Sequence, residues 1–167
     1  MEIYSTVRGD VELYHLQVPY SYDKHTNVNQ LEKDVVSRLE YAIDCMVLTP
    51  YRKQKTEYGL TVHKSQGEEY DVVVFSPGRV YNEKGGHFVE STNFQGASLL
   101  NTAISRAKRV LVIVTDRCKW ENAPNQLIAQ LIDNAQSVCF TELVELIEDF
   151  YNNQRIGTED ILSLFDF

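Results

Sequence analysis

A chain of 167 residues, 43% hydrophobic and 24% charged, has the size and composition of one globular domain with a substantial buried core. A net charge of −8 argues against a protein that coats nucleic acid through a uniformly basic surface. Three widely spaced cysteines (Cys45, Cys118, Cys139) and four scattered histidines suggest neither a disulfide framework nor a zinc site.

In chain order, residues 11–18 (VELYHLQV) alternate apolar and polar side chains, the period of a strand, and Pro19 ends it. Asn29, with Glu32 three residues later, predicts the N-cap of an amphipathic helix reaching Ile43. Its apolar positions Leu31, Val35, Leu39 and Ile43 step by four. The continuous apolar runs 45–48 (CMVL), 71–75 (DVVVF) and 110–114 (VLVIV) predict strands buried on both faces. Residues 77–96 read as a polar loop or small hairpin, and 97–108 as a helix with an apolar stripe. Helices are expected over 125–134 and 141–151, with a short last one from Thr158. Apolar strands alternating with helices predict an α/β fold with a parallel sheet covered on both faces. No repeat or linker divides the chain, so residues 1–167 are expected to form a single domain.

Charge is uneven along the chain. From Thr141 onward seven acids face Arg155 alone, whereas Arg52, Lys53, Lys55 and Lys64 make one stretch locally basic. No apolar run approaches the roughly 18 residues that span a bilayer. The N-terminus, with Glu2, Arg8, Asp10 and Glu12, has no signal-peptide core. The expectation is a soluble protein, cytoplasmic or nucleoid-associated.

Three segments carry chemistry. In CMVLTPYRKQ (45–54) a buried strand ends in Thr49, Pro50 and Tyr51, placing a hydroxyl and backbone amides at a sheet's carboxyl edge. Thr49 can donate to a phosphate there, with Arg52 and Lys53 adding positive charge. In LTVHKSQGEEYDVVVF (60–75) a polar run turns at Gly67 and passes through acids into a strand. Glycine suits a place where the main chain nears a ligand. In LLNTAISRAKRVLVIV (99–114) a helix carrying Arg106 runs into a strand, and Lys108 and Arg109 are explained as helix C-terminal cations.

In this order the three segments resemble motifs IV, V and VI of superfamily 1 helicases of the RecD-like and nonsense-mediated-decay type. The second matches that family's T-V-H-K-[SA]-Q-G-x-E-[FY]-D at Thr61, Val62, His63, Lys64, Ser65, Gln66, Gly67, Glu69, Tyr70 and Asp71. The likeness covers about residues 27–116, with 117–167 a helical C-terminal segment. It implies a RecA-like, doubly wound, mainly parallel sheet with helices on both faces, forming the second of two motor domains. By the same resemblance Thr49, Pro50, Tyr51, Thr61, His63 and Lys64 lie along single-stranded DNA or RNA. Gly67, Glu69, Arg52 and Arg106 approach ATP, and Arg106 acts as an arginine finger toward a triphosphate held by the other domain. Asn29-Gln30-Leu31-Glu32 falls where relatives have Asn-x-x-Glu, several with a nucleotide-contacting arginine after the Asn. Gln30 stands at that position here, leaving Arg52 as the second cation or the contact weakened. Helix capping explains Asn29 and Glu32 equally well.

Two departures bound the resemblance. The sequence contains no GxxxxGK[ST], so ATP and Mg2+ are expected to be held mainly by an N-terminal RecA-like domain, in the same chain or in trans. Only residues 55–59 separate the first two motifs, too few for a crossover between parallel strands. The crossover must therefore use the second motif itself, as a helix over 61–66. A different class of reading is a stand-alone regulatory module without ATPase activity. It would bind nucleic acid, or dock a partner through the acidic C-terminal helices, where Leu143, Leu146, Ile147 and Phe150 share a face. That face can equally cover the sheet edge.

Overall fold

In a computed structural model, which describes residues 10–79, 94–123 and 126–164 (side chains of 94–99 and 155–164 excepted), β1 (Glu12–Gln17) leads into a small antiparallel hairpin, β2 (Tyr22–Asp23) and β3 (Val28–Asn29). There follow α1 (Gln30–Ala42), β4 (Met46–Thr49), β5 (Leu60–Thr61), β6 (Tyr70–Phe75) and α2 (Phe94–Ser105). The chain continues through β7 (Ala107–Thr115), α3 (Leu127–Asp133), β8 (Gln136–Val138) and α4 (Phe140–Leu164). Six strands make one sheet in the order β5-β4-β6-β7-β1-β8, and every pairing in it is parallel.

The apolar runs are continuous because both faces of the sheet are covered. Along β7, Val110, Val112 and Val114 pack with Val36, Leu39, Leu143 and Ile147 from α1 and α4. The intervening Leu111 and Ile113 pack on the other face with Leu100, Ile104, Trp120 and Ile128. This is the RecA-like, doubly wound α/β arrangement expected from the sequence.

Local departures each have a physical reason. On α1 the buried positions are Glu32, Val36 and Leu39, while Leu31 is 44% exposed. A strict four-residue step drifts around a helix of 3.6 residues per turn, so the four-step stripe could not stay on one face. α2 ends at Ser105, and Lys108 and Arg109 lie on β7 rather than capping a helix. They pair instead with Asp71 (3.8 Å) and Asp10 (3.6 Å) across the sheet's amino edge. Helix and sheet compete for this junction. The Tyr70 amide donates to the Arg106 carbonyl at 2.8 Å, so the ladder captures the chain there.

The apolar face of α4 lies on the sheet, with Leu143 and Ile147 buried and Leu146 and Phe150 packed beside them. It covers a face of the sheet, not its edge. The expected break before Thr158 is absent, since α4 runs on to Leu164. Residues 80–93 of the expected loop or hairpin, and Asn125 at the start of the helix expected over 125–134, lie outside the described residues. No helix among those described is long and apolar enough to cross a membrane.

Contrary to the expected crossover, residues 50–59, with a 3-10 helix over Arg52–Gln54, already suffice to join β4 to its parallel neighbour β5. They suffice because β5 is only two residues long. The way on to β6 runs through the second motif, as a 3-10 helix over Val62–Ser65 and not a helix over 61–66. Gly59 is closely packed on the path from β4 to β5. A Cβ there would stand 2.5 Å from Thr56 Oγ1 and 2.8 Å from the Val47 carbonyl oxygen of β4. Gly59→Ala is therefore expected to push β5 off β4 and cost about 1–3 kcal/mol. Urea unfolding measures that loss, and an unchanged midpoint would show that the loop yields.

Candidate functional site

The residues singled out by sequence divide between the two edges of the sheet. At the amino edge, Gly67 makes the turn into β6 with φ +82, and a Cβ there would meet nothing within 4 Å. The glycine is required by backbone conformation, with open space around it. Glu69 follows, lining an open cavity of about 280 Å³ with Asp44, Asp71, Lys108 and Tyr151. Two groups at this cavity are chemically quiet. Burial pushes the Cys45 thiol and the Tyr151 phenol each up to about 12, so neither ionises near neutrality.

Arg106 sits where α2 hands over to β7, directly against the Gly67 turn. Its guanidinium donates to the Glu68 carbonyl (Nη1, 3.1 Å), the Thr102 carbonyl (Nε, 3.1 Å) and the Ser105 hydroxyl (Nη2, 3.3 Å). At this junction the second and third motifs are joined through the side chain to Glu68 and through the backbone carbonyl to Tyr70, beside the Lys108–Asp71 pair and the β6–β7 ladder. For a triphosphate this edge would offer the Arg106 guanidinium, here bonded within the chain, and the Gly67 turn beside it, which suit one side of such a group. Among the described residues no group of three or more His, Cys, Asp and Glu side chains could hold a metal ion.

Between the edges runs the 3-10 helix Val62–Ser65. Val62 and Ser65, three apart and therefore on one side, are buried, and the Ser65 hydroxyl donates to the Val62 carbonyl at 2.6 Å. The positions between them, His63 and Lys64, are exposed. Thr61, on β5 beside Thr49, is only 8% exposed.

At the carboxyl edge the first motif is more structural than its sequence suggests. Thr49 is fully buried and its hydroxyl accepts from the Tyr51 amide at 3.5 Å, so it presents no surface to a phosphate in this conformation. Pro50 is half-buried and Tyr51 is buried, its ring covered by the Arg79 guanidinium at 3.9 Å. Arg52 and Lys53 are exposed on the turn that follows. Arg52 and Arg106 are not brought together. They lie at opposite ends of a sheet whose strands rise roughly 3.3 Å per residue, so six residues of β6 set them on the order of 20 Å apart.

Sequence reasoning missed the group that organises this edge. Gln54 Oε1 accepts from the Asn29 amide (2.9 Å), and Gln54 Nε2 donates to the Asn29 carbonyl (3.1 Å) and to Glu32 (3.4 Å). Glu32 also accepts from the Ser76 hydroxyl (2.5 Å) and the Gly78 amide (2.7 Å). Asn29 does cap α1, accepting from the Glu32 amide at 3.4 Å. Glu32, however, reaches across to β6 instead of back to the cap. Burial pushes its carboxyl up to about 8 despite these donors. A small polar residue and a glycine straight after a buried strand, Ser76-Pro77-Gly78, were the available signal.

No family model matches the chain, and no curated protein matches it. Among solved structures it is similar to the crystal structure of PRRSV nsp10 (helicase), with 17% identity, 62% of this chain covered and a TM-score of 0.36. It is also similar to the structure of the PRRSV helicase, with 21% identity, 64% covered and a TM-score of 0.33. In each case the chain spans 16% of the matched chain. Overlaps of this size leave the activity of the present chain to be argued from its own residues.

Proposed function

We propose that this chain is the second motor domain of a superfamily 1 helicase or translocase. It contributes Arg106 toward ATP and part of the track for single-stranded DNA or RNA. One observation carries the reading: a single short segment joins the exposed His63 and Lys64 to the Gly67 turn, whose Glu68 carbonyl is bound by Arg106. ATP, held with Mg2+ mainly by the other domain, supplies the phosphoryl group whose transfer to water drives the cycle. Arg106 is then asked to exchange the Glu68 carbonyl for a phosphate oxygen. Losing that bond frees the Gly67 turn, and the turn carries the 3-10 helix bearing His63 and Lys64. A stand-alone docking module has less support, because the apolar face of α4 is already packed against the sheet.

Two measurements test this. The chain alone is expected to hydrolyse ATP no faster than buffer. A robust magnesium-dependent turnover abolished by Arg106→Ala would reveal a complete ATP site and overturn the half-motor reading. The chain is also expected to bind labelled single strands weakly, losing affinity steeply as salt rises, and the His63→Ala/Lys64→Ala double variant to weaken this by about 10-fold. Salt-insensitive binding to a protein, with no affinity for single strands, would favour the module.

A further inference from the structure

Two tyrosines stand side by side on the surface. Tyr41, on the last turn of α1, is 69% exposed, and Tyr58, two residues ahead of β5, is 63% exposed. Their ring centroids lie 6.2 Å apart with the planes at 81°, so a guest in the angle between them meets the faces of both. Single exposed aromatics are ordinary, whereas adjacent ones left bare mark a contact surface. The backbone beneath them is tied down. Glu40 of α1 accepts from the Tyr58 amide (3.1 Å) and from the Thr56 hydroxyl, fastening the β4–β5 connection to the helix. Gly59 then packs against the Val47 carbonyl of β4. The rings are held out to solvent by a fixed scaffold.

Charge decides what such a corner can hold. The Tyr41 hydroxyl donates to Oε2 of the exposed Glu57, and no described residue donates to the other oxygen, Oε1. That hydrogen bond, with the nearby charges of Glu57 and Glu40, pushes the Tyr41 phenol up to about 12. The ring is therefore neutral at neutral pH, and its face keeps the negative side of its quadrupole. Lys55, on the same connection, is spent on the Thr56 and Gly59 carbonyls, at 3.2 Å each. The exposed Arg38, one turn back on α1, has Asp34 four residues before it. Two ring faces beside two carboxylates attract a cation and repel a phosphate. A nucleic-acid strand is thus the wrong guest here, whatever His63 and Lys64 hold beyond the far end of β5.

We infer that Tyr41, Tyr58 and Glu57 form a docking corner for an arginine side chain on a basic segment of a partner protein. A guanidinium is planar and weakly hydrated, so it stacks on a tyrosine face while its edge donates to a carboxylate oxygen such as Glu57 Oε1. An ammonium is more strongly hydrated and offers no such plane. The net charge of −8 adds a longer-range attraction for a basic segment. Each exposed ring face is worth about 2- to 5-fold in affinity, and an exposed ion pair about as much. The corner therefore selects one arginine within a longer contact. It uses none of the residues proposed to meet ATP or the strand.

The test is a fluorescence anisotropy titration of a labelled peptide of alternating glycine and arginine, with its citrulline twin as the uncharged control. It is run at about 150 mM salt, where general attraction to an acidic chain is screened. Wild type is expected to prefer the arginine peptide by at least about 10-fold, and the Tyr41→Leu/Tyr58→Leu double variant to weaken that binding by about 10-fold. Leucine keeps the bulk and the charge of the surface and removes only the ring faces. Tyr58→Phe is expected to stay within about 2-fold of wild type, and Glu57→Gln to lose about 3-fold. Thermal melts confirm that each variant is folded. If the double variant is not, Tyr58→Leu alone is read in its place, with a loss of about 3-fold expected. Wild-type affinity in the leucine variant that is read would overturn the inference, since the peptide would then be answering net charge alone. So would equal binding of the two peptides by wild type. A labelled oligothymidylate that loses affinity in the leucine variant, while the arginine peptide does not, would give the rings to a strand instead. A self-association of wild type in sedimentation that the leucine variant abolishes would give them to a second copy, and overturn it equally.

Discussion

Wild type is expected to lose about 4 kcal/mol of stability relative to Glu32→Gln as pH rises from 4.5 to 8. The Glu32 carboxyl is raised from 4.5 to about 8 by burial, the Ser76 hydroxyl and Gly78 amide only partly offsetting it. A raised carboxyl is protonated when folded over a range where the unfolded chain has released its proton. Its contribution is therefore complete below pH 4.5 and is lost as pH climbs through 8. The whole shift corresponds to about 5 kcal/mol, at 1.36 kcal/mol per unit, and half-titration at either end leaves about 4 of it within this window. Subtracting the Glu32→Gln curve removes groups that act the other way, notably His15, whose imidazole is lowered by burial. Glutamine keeps a carbonyl oxygen for Gly78 and Ser76 and never ionises, so it should cost under about 1 kcal/mol at pH 5. Glu32→Ala removes the acceptor and leaves both donors buried without one, at a cost of about 3 kcal/mol at pH 5. Urea unfolding followed by circular dichroism at pH 5 and 8 reads all three. A constant difference between wild type and Glu32→Gln across that interval would mean Glu32 is ionised throughout, and the Asn29–Glu32–Gln54 group would need another source of stability.

Glu32 also shows what the sequence could and could not convey. Its cap partner Asn29 was legible because capping is local, a matter of three residues. Its bonds to Gln54, Ser76 and Gly78 were not, because they join segments 22 to 46 positions apart that only the sheet brings together. The same division runs through the fold. The buried strands at β4, β6 and β7 could be read from runs of Val, Ile and Leu, since a strand covered on both faces has almost no polar residue. β5 and β8, of two and three residues, are too short to show a period and exist through their parallel neighbours. The order of the motifs was visible, but their placement at opposite edges was not. Thr49 looked like a phosphate donor on residue type alone, yet its position at the end of a strand flanked by β5 and β6 leaves it no exposed surface. Arg106 looked helical because the apolar stripe of α2 runs up to it. The Tyr70 amide ended that helix, and it comes from a strand more than thirty residues earlier.

On the half-motor proposal, Arg106→Ala in the assembled two-domain enzyme is expected to slow ATP turnover by about 10³-fold or more while changing ATP affinity by less than about 3-fold. That asymmetry separates two roles the geometry allows. As a staple, Arg106 ties the second motif to the third through Glu68, Thr102 and Ser105. Three half-exposed hydrogen bonds of that kind contribute about 1–2 kcal/mol, enough to lower a melting temperature but not to remove catalysis from a folded protein. As a finger, the same guanidinium meets charge that develops on transferring phosphoryl oxygens, so its removal falls on turnover far more than on binding. Arg106→Lys sharpens the comparison. Lysine keeps the charge but cannot span Glu68, Thr102 and Ser105 together, nor offer two parallel donors to a phosphate. Both roles are therefore impaired in it, but in different observables. The staple predicts that turnover falls only in proportion to the unfolded fraction, with single-strand affinity falling alongside. The finger predicts a folded domain and single-turnover hydrolysis slowed by at least about 10²-fold, far more than any change in single-strand affinity that follows from freeing the Gly67 turn. Melting and single-strand titration of the isolated chain, combined with single-turnover kinetics of the assembled enzyme, distinguish them. Near-normal turnover in either folded variant would leave Arg106 as a staple and move the search for the cation to another residue.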